Sequence, residues 1–184
     1  MPEQAQSRLR IAYLAPEIPA LSATFVYNEI LELTKHGIEV ESFSVHRPNH
    51  VASEVSLDAL RDSVFHLYEV SKGQVLLDNL TMLLTRPSGY LKALGRLLSD
   101  VFHQRLITRS ALGLCYRFFY AATLAKQLKL TKVEHLHVHF AHIPTDIAMY
   151  AAPMAGIGFS VQAHANDLFE RGWLLKQKVA RSDF

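Results

Sequence analysis

One cysteine, Cys115, among 184 residues leaves no disulfide framework to build on. It lies in an apolar helical stretch and reads as a small buried hydrophobe, which fits a cytoplasmic address. Glycine is missing where a dinucleotide would need it. The turn after the first strand, Pro16 to Ser22, contains none, so no GxGxxG supports NAD or FAD. No strand exit bears a lysine-bearing P-loop for ATP, and no GxSxG elbow supplies a nucleophilic serine. Excess charge is lacking too: a net charge of +2 is too small to argue for nucleic acid. Long apolar runs are absent. MPEQAQSRLR has no apolar core of a signal peptide beside it, and none is expected. Ile147 to Val161 is uncharged, but it is short and broken by Pro153, Gly156 and Gly158, so it falls below a membrane span.

What remains is the composition of an ordinary globular domain, 49% hydrophobic and 20% charged, large enough to bury a real core. Residues 1–9 are expected to form a flexible tail. RIAYLAP is a first strand. Ser22 or Thr24 is expected to cap the helix FVYNEILELTKHG, with Phe25, Ile30, Leu31 and Leu33 on its apolar side and Gly37 as its stop. IEVESFSV follows as a second strand. Strand, helix and strand in this span open a doubly wound α/β domain.

Residues 46–63 are polar, with a short helix over Leu57 to Arg61, and Val64 to Tyr68 is a weak strand. KGQVLLDNLTMLLTRP is a helix ending before Pro87, and Ser88 is expected to cap the next. The helical region continues from Arg105 to Lys132. Leu94, Leu97, Leu98, Val101, Leu106, Phe118 and Phe119 add apolar surface, interleaved with basic residues. This is either helix packing or a basic amphipathic surface for an anionic membrane. VEHLHVHFAH is then a strand and its exit, IPTDIAMYAAPMAG a helix with Pro144 in its first turn, and GFSVQAH a further strand. A helix is expected over Leu174 to Ala180, and Ser182 to Phe184 look like the entry into another strand.

Polar residues gather just beyond the last two strands, where an open α/β sheet forms its binding crevice. His135, His137 and His139 share one strand face. Three such histidines suggest a metal, but a strand sets alternate side chains about 7 Å apart, which argues against convergence on one ion. His139 and His142, at the strand's carboxyl end, are placed for a ligand. His164 can donate to a sugar hydroxyl or a developing charge, and Asp167 can accept from hydroxyls or orient an imidazole. The alternative is Asp167 as a helix cap and His164 as loop packing.

TFVYNEILELTKHGIEV, HVHFAH and VQAHANDLF together resemble the N-terminal domain of GT-B-fold glycosyltransferases of family 4, near the exopolysaccharide and colanic-acid-type enzymes. The likeness is strongest over residues 10–45 and 133–184. It implies a Rossmann-like, mostly parallel open sheet with helices on both faces over 10–184, with a helical insertion around 72–132. It implies a retaining, metal-independent sugar transfer from a UDP- or GDP-linked donor to a polysaccharide or lipid-linked acceptor, with no other cofactor. His164 and Asp167 match the family's AHxxD pattern and would carry the transition-state contact. Ser22, Thr24, Asn28, His139, Phe140, His142 and Asn166 would face the acceptor cleft. The family continues into a second, nucleotide-gripping domain, and the expectation is that the chain is incomplete at its C-terminus. It would act with a C-terminal-half polypeptide in the cytoplasm, free or peripheral at the inner face of the membrane, without nucleic acid. The rival reading is a non-catalytic carbohydrate- or partner-binding module of the same fold.

Overall fold

The computed structural model describes residues 9–48, 57–105, 108–169 and 172–184, the side chains of Asn166 and Leu168 excepted. The expected tail (but for Leu9), part of the polar stretch after the second strand, and Leu106 lie outside them. Five parallel strands form one sheet: β1 (Arg10–Ala15), β2 (Glu39–Ser44), β3 (Phe65–His66), β4 (His135–His139) and β5 (Gly158–Gln162), in the order β3-β2-β1-β4-β5. The eight helices among the described residues are α1 (Thr24–Lys35), α2 (Asp58–Ser63), α3 (Lys72–Thr85), α4 (Pro87–His103), α5 (Arg109–Leu130), α6 (Ile143–Ala155), α7 (Ala165–Phe169) and α8 (Leu175–Arg181). This is a Rossmann-like α/β fold with helices on both sheet faces.

Strand alternation divides the core in two. Ala12, Leu14, Leu136 and Val138 point to one face, where α3, α4, α5 and α6 contribute Met82, Leu97, Phe118 and Tyr150. Tyr13 and Ala15 point to the other, where α1 and α2 bring Val26, Tyr27, Ile30 and Leu60. Eleven of the thirteen residues of α6 are buried because it lies between the sheet and the outer helices. Gly89 makes that layer fit: a Cβ there would stand 2.3 Å from the Pro153 carbonyl oxygen, so α4 meets α6 backbone to backbone.

The expected elements form, with local corrections. Neither Ser22 nor Thr24 caps α1: a 3-10 turn over Leu21–Ala23 leads in, Ala23 is the N-cap, and Thr24 is already helical. The buried side of α1 is Val26, Tyr27 and Ile30, whereas Phe25 is exposed. Gly37 ends the helix as expected, at φ +81°. Ser88 does not cap α4, because Pro87 takes its first turn and Arg86 is the N-cap. The weak third strand is only Phe65–His66, and Leu67–Glu69 turn into a 3-10 helix. Asp183 N–H donates to the Phe159 carbonyl (2.8 Å), and Val161 N–H donates to that of Phe184 (3.1 Å). The expected strand entry therefore does meet the edge of β5.

Candidate functional site

The strand order reverses between β1 and β4, so the loops leaving these two strands diverge and open a crevice at their carboxyl ends. A cleft of about 380 Å³ lies there, lined by Pro16, Glu17, Ala20, Ser22, Ala23 and Phe140. Its β1 wall is pinned by Ser44 of β2, whose hydroxyl accepts from Ile18 N–H at 3.2 Å and donates to the His46 carbonyl at 2.5 Å, with the Pro16 carbonyl 3.3 Å away. The peptide between Ile18 and Pro19 is cis. On the other wall Phe140 sits at φ +73°, a conformation a bulky residue holds only when its surroundings enforce it. The enforcement is visible: Phe140 N–H donates to the Gln162 carbonyl (2.9 Å), and the Thr145 hydroxyl donates to the Phe140 carbonyl (2.8 Å).

That twist turns the Phe140 ring onto His164, with centroids 4.4 Å apart. Phe25 closes on His164 at 4.9 Å and on Phe140 at 6.1 Å, and His139 stacks beneath His164 at 6.2 Å. His164 Nε2 is buried and has no hydrogen-bond partner among the described residues. An aromatic wall with an unused imidazole edge suits a sugar ring, which offers an apolar face for stacking and hydroxyls around its rim.

Asp167 differs from its expected role. Its buried Oδ2 accepts two backbone bonds, from Ala141 N–H and His164 N–H, each at 2.9 Å, and it makes no bond to the His164 imidazole. It sits three residues after the N-cap of α7 and reaches back to it, the acidic half of a capping box. The carboxylate thus ties the β4 exit to the β5 exit, and the capping alternative describes it better than an imidazole-orienting one. His142 is the N-cap of α6: its Nδ1 accepts from Ile143 N–H at 2.8 Å, and its Nε2 lies 3.7 Å from Asp167 Oδ1. Ser22 lines the crevice, while Thr24 and Asn28 are exposed on the first turns of α1. The side chain of Asn166 lies outside the described residues.

Sequence reasoning missed the anchor beneath these loops. Asp146 of α6, fully buried, receives Arg117 (2.9 Å) and Trp173 Nε1–H (3.0 Å) on Oδ2, with Lys178 Nζ 2.9 Å from Oδ1. Lys178 also donates to the Ala141 carbonyl at 2.6 Å and lies over the Trp173 ring. The signal was there in outline, an acid inside an apolar helix and a lysine four residues after the buried Leu174. Only folding pairs them. A second cleft of about 420 Å³, lined by Glu17, His46, Arg47, Tyr68 and Glu69 at the ends of β2 and β3, was also unforeseen.

On the face of the sheet under α1, the histidines of β4 meet partners. His137 Nδ1 and His135 Nε2 both bond the Ser160 hydroxyl, at 2.8 and 2.9 Å. The Tyr13 hydroxyl donates to Glu29 Oε1 at 2.5 Å, and the other carboxylate oxygen stands 3.5 Å from His139 Nε2. Burial, then the bond to Glu29, raises the Tyr13 phenol so that it keeps its proton. Burial, with repulsion from His137 and His164, pushes His139 down to about 3. Burial likewise lowers His137, against the attraction of Glu29. The expected separation of alternate histidines is not what forms: the His137 and His139 rings meet edge to face at 4.9 Å, since side chains lean along the strand while their Cα atoms stay apart.

Taken together, the fold and crevice define a generic Rossmann-like domain, an architecture consistent with nucleotide-sugar or carbohydrate binding. No protein-family model and no curated protein matches the chain. Among the described residues, no helix is long and apolar enough to cross a membrane.

Proposed function

We propose that residues 10–184 are the acceptor-side domain of a retaining GT-B glycosyltransferase of family 4, moving a sugar from a UDP- or GDP-linked donor to a polysaccharide or lipid-linked acceptor. The observation that supports this reading is the crevice at the β1/β4 switch point, walled by Phe140, whose ring packs on His164 at 4.4 Å. His164 contacts the reacting sugar; Ser22, His139 and Phe140 shape the acceptor side, with Thr24, Asn28 and Asn166 at its rim. Asp167 and His142 are positioning residues that hold the two loops. The donor diphosphate falls to a second domain, in this polypeptide or a separate one. Calorimetric titration of UDP-glucose and GDP-mannose tests this. The chain alone is expected to bind neither more tightly than about 1 mM, and binding appears once the donor domain is supplied. In that assembly, His164→Ala lowers turnover about 10²–10³-fold with donor affinity little changed. Tight donor binding by the chain alone would overturn the division of labour. Binding of saccharide with no turnover in the assembly would favour the non-catalytic module.

The acceptor's lipid end has its own support. On α3, Leu76, Leu77, Leu80 and Leu84 are 62, 58, 53 and 71% exposed, and spacings of four keep Leu76, Leu80 and Leu84 on one face. Of the residues expected to form such a surface, Leu97 and Phe118 are instead core, while Leu98 and Phe119 are exposed. A groove of about 350 Å³ between α3 and α5 continues the face, lined by Lys72, Val75, Leu76, Tyr116, Phe119 and Tyr120. This face lies on an anionic membrane surface in our reading. Leu80→Glu with Leu84→Glu is expected to reduce flotation with phosphatidylglycerol vesicles at least tenfold, since burying each leucine is worth about 1.5–3 kcal/mol. The thermal midpoint should hardly move. Undiminished flotation of the folded double variant would remove the membrane from the model.

A further inference from the structure

Beneath the crevice, three side chains from two elements converge without satisfying one another. One donor atom from each of Glu29 on α1 and His137 and His139 on β4 lies within 4.8 Å of the other two. Among the described residues, the fully buried His139 has no hydrogen-bond partner on either ring nitrogen, and the buried Nε2 of His137 has none within hydrogen-bond geometry, although the Gln162 side chain interacts with His137. A buried imidazole with both nitrogens unbonded is costly, because the desolvated polar atoms have nothing in place of water. Such atoms call for a ligand.

Their surroundings fit a cation rather than a water. Ser160 bonds His137 Nδ1 at 2.8 Å and so directs the other nitrogen into the cluster, as the outer partner of a metal-bound histidine does. Tyr13 does the same for Glu29, bonding Oε1 at 2.5 Å and leaving Oε2 turned to His139. We propose that Glu29, His137 and His139 form a binding site for a first-row divalent transition-metal ion, with zinc as its expected occupant. Two imidazoles and one carboxylate match the donor preference of that class; magnesium and calcium would demand oxygens. Tetrahedral zinc with bonds near 2.0–2.1 Å needs donors about 3.3 Å apart, so the set must draw in by up to about 1.5 Å. Glu29, with its side chain 41% exposed, has the freedom to supply most of that movement. Three protein donors leave a fourth position for water or a substrate oxygen. His139 also lies parallel to the His164 ring at 6.2 Å, so the ion would sit beside the aromatic cluster at the β4 exit.

The inference does not depend on sugar transfer. Its test is calorimetric titration of zinc chloride into metal-stripped chain, with the visible spectrum of the cobalt-loaded chain reporting nitrogen and oxygen donors. One equivalent of zinc is expected at micromolar affinity or tighter, with a rise in thermal midpoint. Glu29→Gln, which keeps shape and leaves the partly exposed position folded, should weaken zinc at least tenfold. Ser160→Ala should weaken it about 10–100-fold through the freed His137 ring. His137→Asn should abolish the stoichiometric site, its metal-free melting curve confirming the fold. His103→Ala, on an exposed histidine at the end of α4, serves as the control and should change nothing. Sub-stoichiometric or millimolar zinc binding, or binding that survives Glu29→Gln and Ser160→Ala unchanged, would overturn the site.

Discussion

Replacing Asp146 with alanine is expected to lower the unfolding free energy by about 3–5 kcal/mol, the usual cost of removing one partner from a buried ion pair. Two cations depend on this carboxylate. Arg117 keeps a little solvent contact, at 16% side-chain exposure, but Lys178 has almost none, at 1%. Without Asp146 the lysine must either lose its proton or pull α8 away from α6. Pulling away releases the bond from Lys178 to the Ala141 carbonyl, in the loop that carries Phe140 and His142, and deprotonation leaves only a weaker, uncharged bond there. Urea unfolding followed by far-ultraviolet circular dichroism measures the loss. A second variant separates charge from packing: Asp146→Leu combined with Lys178→Met removes the carboxylate and the fully buried lysine, leaving only the partly solvated Arg117, and should recover much of the stability. If the double variant were as unstable as Asp146→Ala, packing around Trp173 rather than the uncompensated charge would hold α8 in place.

Why this anchor was invisible in the sequence, while the sheet was not, follows from the range of the interactions. The sheet and its flanking helices are set by short-range patterns. Val138 and Leu136 alternate with histidines, Gly37 stops α1, Pro87 ends α3, and Pro144 marks the first turn of α6, each readable within a few residues. The crevice was legible as well, because parallel strands always present their exits at one end, and His139, His164 and Phe140 stand at two such exits. Caps were less legible. Ser22, Thr24 and Ser88 all have the chemistry to cap, but the backbone path chose Ala23 and Arg86, and capping chemistry alone does not reveal that path. Pairings between distant elements were hidden altogether. Nothing local distinguishes Glu29 from the other acids of α1, and its meeting with Tyr13 and His139 exists only once α1 has packed on the sheet. Asp167 is the opposite case. The resemblance gives it a part in the chemistry, and only the fold shows that its Oδ2 also clasps two backbone amides.

Acid should unfold the chain earlier than its carboxylates alone would require, and His139 is the reason. Its unfolded value lies near 6.5, whereas in the folded chain burial holds it at about 3. Above the unfolded value both states carry a neutral ring, and stability is insensitive to this group. As the pH falls below about 6.5, the unfolded chain takes up a proton that the folded chain refuses. Stability is lost progressively until the folded value is reached. The slope approaches roughly 1 kcal/mol per pH unit, and His137, lowered in the same direction, adds to it. The neighbouring groups are Glu29, Tyr13, His137 and His164. Between pH 6.5 and 4.5 the phenol does not titrate, and carboxylate titration at the acid end is common to parent and variant, so the difference between them reports the imidazole. Urea midpoints in chelator-treated buffer, for the parent chain and for His139→Phe, make the comparison. Phenylalanine keeps a ring among Tyr13, Phe25 and His164 but takes no proton. Any fixed cost of the substitution cancels, because only the slopes are compared. The parent should lose about 1–3 kcal/mol more than the variant across this window. Parallel curves would mean that His139 protonates as readily folded as unfolded, and that water or a counter-charge reaches the ring beneath Phe25.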